Sequence, residues 1–99
     1  MVKHIVLFKF KALGSESEKA AKISEIKNAL LGLKDKLDFL RSIEVGLNAN
    51  PNEKFDLALT TVFDSMTDLE RYATHPDHMA VAQLIGPIKE DRACVDFIF

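Results

Sequence analysis

Within Tyr72-Ala-Thr-His75-Pro76-Asp77-His78 lie the only tyrosine of the chain and two of its three histidines. Imidazole titrates near neutral pH, whereas a phenol keeps its proton to about pH 10. Side by side they form a base and a hydrogen-bond donor. Such a pair suits proton abstraction next to a carbonyl group, with the phenol stabilising the oxygen on which charge develops. A third polar group stands apart: Asp96 is set between Val95 and Phe97 in an apolar C-terminal run. A carboxylate there either faces water on an edge strand or is buried against a partner, and imidazole is the partner that would give it a role. His4 alternates with Val6 and Phe8 and can share the same enclosed face.

Each of these residues also has an ordinary explanation. His78 lies on the same helical face as Val81, Ala82 and Ile85, where a lone histidine is usually a core residue bonded to backbone. Tyr72 continues a stripe with Leu69 and Ala73, as a core aromatic would. His75, just before Pro76, is expected to cap a helix and to be structural. The closeness of Tyr72 to His78 is what points to chemistry. No metal is expected, because His4, His75, His78 and Asp96 contain no His-x-x-x-His or Glu-x-x-His pair. A single cysteine, Cys94, allows no internal disulfide and no cysteine-based zinc site, and it reads as a small core residue. Glycine-rich phosphate loops, nucleophile elbows and paired carboxylates are absent from the sequence.

The elements that must position these groups follow from periodicity. Val2 to Lys11 alternates as a first strand, with Val2, His4, Val6, Phe8 and Phe10 on one face and Ile5 and Leu7 on the other. Gly14 breaks it, and Ser15 with Glu18 forms a capping-box pattern. Ile23, Ile26, Leu30, Leu33, Leu37 and Leu40 then recur at helical steps, with Gly32 marking where the helix is expected to bend or end. Ser42 to Asn48 reads as a second strand, Asn48 to Asn52 as a loop, and Phe55 to Asp64 as a third strand. Ser65 and Asp68 open a short helix, Pro76 the next, Gly86-Pro87 interrupts or ends that one, and Ala93 to Phe99 is the last strand.

The order β-α-β-β-α(α)-β is that of an α+β, ferredoxin-like protomer with a four-stranded antiparallel sheet, in one domain over residues 1–99. The strands are apolar on both faces, and one layer of helices covers only one of them. A second copy, sheet facing sheet, is the simplest cover, so a homodimer is expected. With 99 residues, 47% apolar, 28% charged and net charge −2, the composition is that of a small globular protein. The acidic balance argues against a nucleic-acid surface, and the lysines at 3, 9 and 11 read as a solvated rim. No apolar run is long enough for a membrane span and no leader precedes the first strand, so a cytoplasmic location is the default expectation.

The stretches His4 to Lys11, Phe55-Asp56-Leu57, Phe63-Asp64, Tyr72-x-x-His75-Pro76-x-His78 and Val95-Asp96-Phe97 together resemble the stress-responsive dimeric α/β-barrel family, Dabb, over nearly the whole chain. The resemblance implies a ferredoxin-like protomer that dimerises through its sheet. Most members have no established activity. The best understood type is a polyketide cyclase of the olivetolic acid cyclase kind, which closes its substrate by an aldol reaction without metal or cofactor. Its acid–base tyrosine and histidine match Tyr72 and His78, its orienting aspartate Asp96 and a pocket histidine His4. A second pocket histidine of the cyclase falls at Leu57, so this pocket is more apolar.

The expectation is therefore a pocket within each protomer, walled by His4, Leu57, Leu59, Val81 and Ile85, holding a small apolar or carbonyl-containing molecule. In it His78 acts as base, Asp96 stabilises the resulting imidazolium, and Tyr72 donates to the oxygen. No cofactor is required for such a lyase, cyclase or isomerase. The alternative is a ligand-binding or structural dimer without catalysis.

Overall fold

The computed structural model describes residues 1–99. Four strands and three α-helices follow one another: β1 (Val2–Phe10), α1 (Glu16–Lys36), β2 (Ser42–Leu47), β3 (Leu57–Phe63), α2 (Met66–Thr74), α3 (Pro76–Ile85) and β4 (Lys89–Ile98). A single 3₁₀ turn, Gly86–Ile88, joins α3 to β4 where Pro87 removes a helical donor. The strands form one antiparallel sheet in the order β2-β3-β1-β4, so the first and last strands are neighbours and β4 lies at an edge. This is the ferredoxin-like α+β arrangement.

Helix ends are set by side chains. Ser15 and Ser65 accept bonds from the backbone N–H groups of Glu18 and Asp68, opening α1 and α2. His75 does the same for α3, its Nδ1 accepting from the Asp77 N–H at 3.1 Å. Helix α1 does not end at Gly32, one of the two outcomes expected there, but runs on to Lys36. One glycine costs about 1 kcal/mol of helix propensity, and burial of Ile26, Leu30 and Leu33 along one stripe outweighs it. Strand β4 also begins four residues before Ala93, because Lys89-Glu-Asp-Arg92 is too charged to read as a strand but pairs with β1.

The helices cover one face of the sheet. Val2, Val6, Phe10, Leu57, Leu59 and Phe63 point into this core with the buried residues of α1. The opposite face carries Ile5, Leu7, Ala58, Thr60, Val95 and Phe97, and no element of the chain lies over it. Val95 is 55% and Phe97 41% exposed, which makes the edge of that face an apolar surface. No helix is long and apolar enough to cross a membrane.

Candidate active site between the helices and β1

Alternation along the central strand sends His4 to the helix-covered face, into a row that runs across the sheet. Its register partners are Thr61 on β3 and Asp96 on β4. Helix α2 lays Tyr72 over this row, and the tight His75-Pro76 junction turns the chain so that α3 brings His78 back against it. The ring centres of Tyr72 and His78 are 4.4 Å apart, and His4 lies edge-on to Tyr72 at 6.4 Å. Phe63 closes the other side of the phenol at 5.1 Å.

Two pairs of polar groups result, and they differ in state. His4 is 9% exposed and its Nδ1 is hydrogen-bonded to the Asp96 carboxylate. Sequence reasoning gave Asp96 to His78; the structure gives it to His4, its cross-strand neighbour on the same face. Nor is the carboxylate enclosed, since β4 is an edge strand and the Asp96 side chain is 31% exposed. Cys94 is likewise not a core residue: it is exposed, with Sγ 3.5 Å from His4 Nδ1.

The second pair has no such partners. Tyr72 is 1% exposed, and its hydroxyl makes no hydrogen bond; the buried Nδ1 of His78 makes none either. Burial pushes the phenol pKa up to about 12. Burial also lowers that of His78, with the charges of His4 and Arg92 acting in the same direction and the Ala73 backbone opposing. At pH 7 the pair is thus a neutral imidazole beside a protonated phenol.

Both rings border a hollow of about 140 Å³ whose apolar walls include Val6, Phe8, Leu59, Val81 and Ile85. A second, more open hollow of about 370 Å³ is bordered by the same rings and by Met66, Leu69, Cys94 and Asp96. His4, Tyr72, His78 and Arg92 border both. Of the residues expected from sequence, the structure brings together His4, Leu59, Tyr72, His78, Val81 and Ile85 around the smaller hollow. Asp96 reaches only the larger one. Leu57 reaches neither: it sits two residues further along β3, level with Phe8, and helps line a separate depression beside Leu47 and Phe55.

Three residues here escaped sequence reasoning. Thr61 is fully buried beside His4 with an unpartnered hydroxyl. It could have been found, because it is a polar residue on the face that Leu59 and Phe63 make apolar. Arg92 and Lys89 also border the smaller hollow, and the charged run around them hid their strand. His4, Cys94 and Asp96 place a nitrogen, a sulfur and an oxygen within 4.8 Å of one another, but the nitrogen and oxygen already satisfy each other.

A ferredoxin-like protomer with a phenol–imidazole pair enclosed between helices and sheet is the class these features define. The stress responsive A/B barrel domain model, Dabb, matches residues 2–99, and the chain belongs to that family. It is similar to the stress-response A/B barrel domain-containing protein DABB1 of Arabidopsis thaliana, 32% identical over 102 residues, covering 99% of this chain and 47% of that protein. The chain thus spans about half the length of the curated relative it matches. A dimeric protein of unknown function and ferredoxin-like fold from Bacteroides fragilis superposes with a TM-score of 0.93 at 45% identity, covering 99% of this chain and 95% of that one. The hydroxynitrile lyase of Passiflora edulis shares the fold, with a TM-score of 0.82 at 20% identity over 99% of this chain and 92% of its own.

Proposed function

We propose that the protein binds a small apolar carbonyl compound in the hollow of each protomer and moves a proton on it, without a cofactor, as a lyase, cyclase or isomerase does. One observation supports this above the rest: a buried phenol and a buried imidazole nitrogen, both without hydrogen-bond partners, border the same hollow, whose walls are mostly apolar. Leaving such groups unmade costs about 1–3 kcal/mol each, a cost that a polar ligand atom would remove.

In this reading the neutral His78 takes a proton from the carbon next to the carbonyl. Tyr72, held protonated by its raised pKa, donates to the carbonyl oxygen as negative charge gathers there. His4, steadied by Asp96, borders the substrate and sets the polarity of the sheet side. Asp96 therefore acts on the reaction through His4 and not through His78. A cavity of about 140 Å³ is close to that of an engineered site of about 150 Å³ that holds benzene, so a compact ligand is favoured.

Deuterium uptake at the α-carbon of small aryl ketones in D₂O, followed by NMR, tests the proposal. Exchange well above that of free imidazole is expected, and its loss in both His78→Ala and Tyr72→Phe. Ketones that shift the resonances around the hollow but exchange no faster than in buffer would leave binding without catalysis.

We further propose that the working form is a homodimer joined through the uncovered sheet face. The exposed Val95, Phe97 and Phe99 support this, as does the dimeric state of the Bacteroides fragilis relative. Sedimentation of the wild type and of Val95→Glu tests it; a wild-type monomer at micromolar concentration would refute it.

A further inference from the structure

The smaller hollow has an unusual charge balance for an acidic protein. Its lining includes two cations, Lys89 and Arg92, and no carboxylate, although the chain as a whole carries a net charge of −2. Neither cation makes an ion pair with any carboxylate of the chain, whereas Lys9 and Lys54 nearby are paired with Glu90 and Asp91. Strict strand alternation would put residues 89 and 92 on opposite faces of the sheet. The register of β4 shifts between Lys9 and Phe10, so that Lys9 faces Asp91 and Phe10 faces Lys89, with Glu90 left over. This irregularity returns Lys89 to the helix-covered side that Arg92 already occupies, opposite the buried Phe10. Bulges of this sort commonly re-aim a side chain beside a binding site.

The polar groups of the hollow thus lie in two sets. Tyr72 and His78 gather around His4. Lys89 and Arg92 are rooted further along the sheet, in register with Phe10 and Phe8, and Val6, Leu59 and Val81 line the apolar wall. We propose that the hollow is selective for anions: Lys89 and Arg92 receive the carboxylate of a small apolar keto acid whose carbonyl end reaches Tyr72 and His78. The inference rests on the acid–base reading above and narrows its substrate class. Lys89 and Arg92 are both exposed, so the charge-assisted hydrogen bonds that a guanidinium and an ammonium make to one carboxylate are those of a partly solvated site at the rim of the hollow.

Benzoate and benzamide have the same ring and nearly the same size, and differ in charge. Titrating each into ¹⁵N-labelled protein should give a Kd for benzoate at least about tenfold lower, corresponding to about 1.4 kcal/mol. The Lys89→Gln/Arg92→Gln double variant should abolish that ratio, and the charge-preserving Lys89→Arg/Arg92→Lys variant should restore most of it. Equal affinities in the wild type, a preference that survives the double Gln variant, or no binding of either probe would overturn the proposal. The two readings fail separately. Benzoate preference without α-deuteration of any aryl keto acid would refute the acid–base role alone, and α-deuteration of neutral ketones without benzoate preference would refute anion selection alone.

Discussion

His4 with Asp96 and Tyr72 with His78 are two polar pairs within one cluster, and they are built in opposite ways. The first is complete: imidazole and carboxylate satisfy each other on adjacent strands, and the carboxylate keeps about a third of its surface in water. The second is incomplete: two rings in contact, each with a buried polar atom that makes no hydrogen bond, the Ala73 backbone near His78 doing no more than oppose the fall in its pKa. A folded chain seldom leaves such atoms unpaired, because burial removes the water that would otherwise bond them. The closed pair holds the cluster in place, and the open pair is where an outside molecule has something to gain by binding.

Substitutions can break this contrast, and the open pair should give the largest effects. His78→Ala should lower any α-proton exchange by roughly 10²–10⁴-fold, the usual contribution of a positioned base, as read by NMR in D₂O. Tyr72→Phe should lower it nearly as much while leaving the denaturation midpoint unchanged or raised, since the lost hydroxyl has no partner to desert. Tyr72→Ala, by contrast, should cost about 3–5 kcal/mol in urea unfolding through the cavity it leaves in the core.

The raised Tyr72 pKa has a sign that can be checked. The unfolded phenol ionises near pH 10 and the folded one near 12, so the unfolded state holds fewer protons between these values. Stability is therefore full below pH 10 and falls as pH rises towards 12, by up to about 3 kcal/mol. Tyr72→Phe should remove that phase from the urea midpoint measured against pH. His78, whose folded pKa lies below its ordinary value, should weaken the fold as pH drops below about 6.5 and no further once the folded pKa is passed. The closed pair should give the smallest effect: Asp96→Asn is expected to cost no more than about 1 kcal/mol, because the carboxylate is part-exposed on an edge strand. A loss of exchange as deep as that of His78→Ala would abolish the distinction between the pairs.

Much of the fold was legible because each element announces itself locally. His4, Val6 and Phe8 alternate, Ser15 and Glu18 cap, and Pro76 starts a helix where the structure begins one. The contact of Tyr72 with His78 was legible too, because only one tight turn separates them. What could not be read depends on register between distant strands. Asp96 meets His4 because residues 92 apart are cross-strand partners, and no local pattern selects His4 over His78. Leu57 falls outside the hollow for a similar reason, since a two-residue step along β3 moves a side chain past the wall. Lys89 was hidden twice, by the polar run around it and by the shift that sends it to the other face.

Strand β4 serves two surfaces at once. Its odd positions from Ala93 onward put Val95 and Phe97 on the naked side of the sheet, while its even positions carry Arg92, Cys94 and Asp96 towards the helices. Whatever grips the outer row also clamps the backbone that holds the inner one. In the homodimer proposed above, loosening one subunit from the other by dilution should therefore soften the affinity for the proposed ligand before any global melting, so that occupancy of each hollow would track how much protein is in solution.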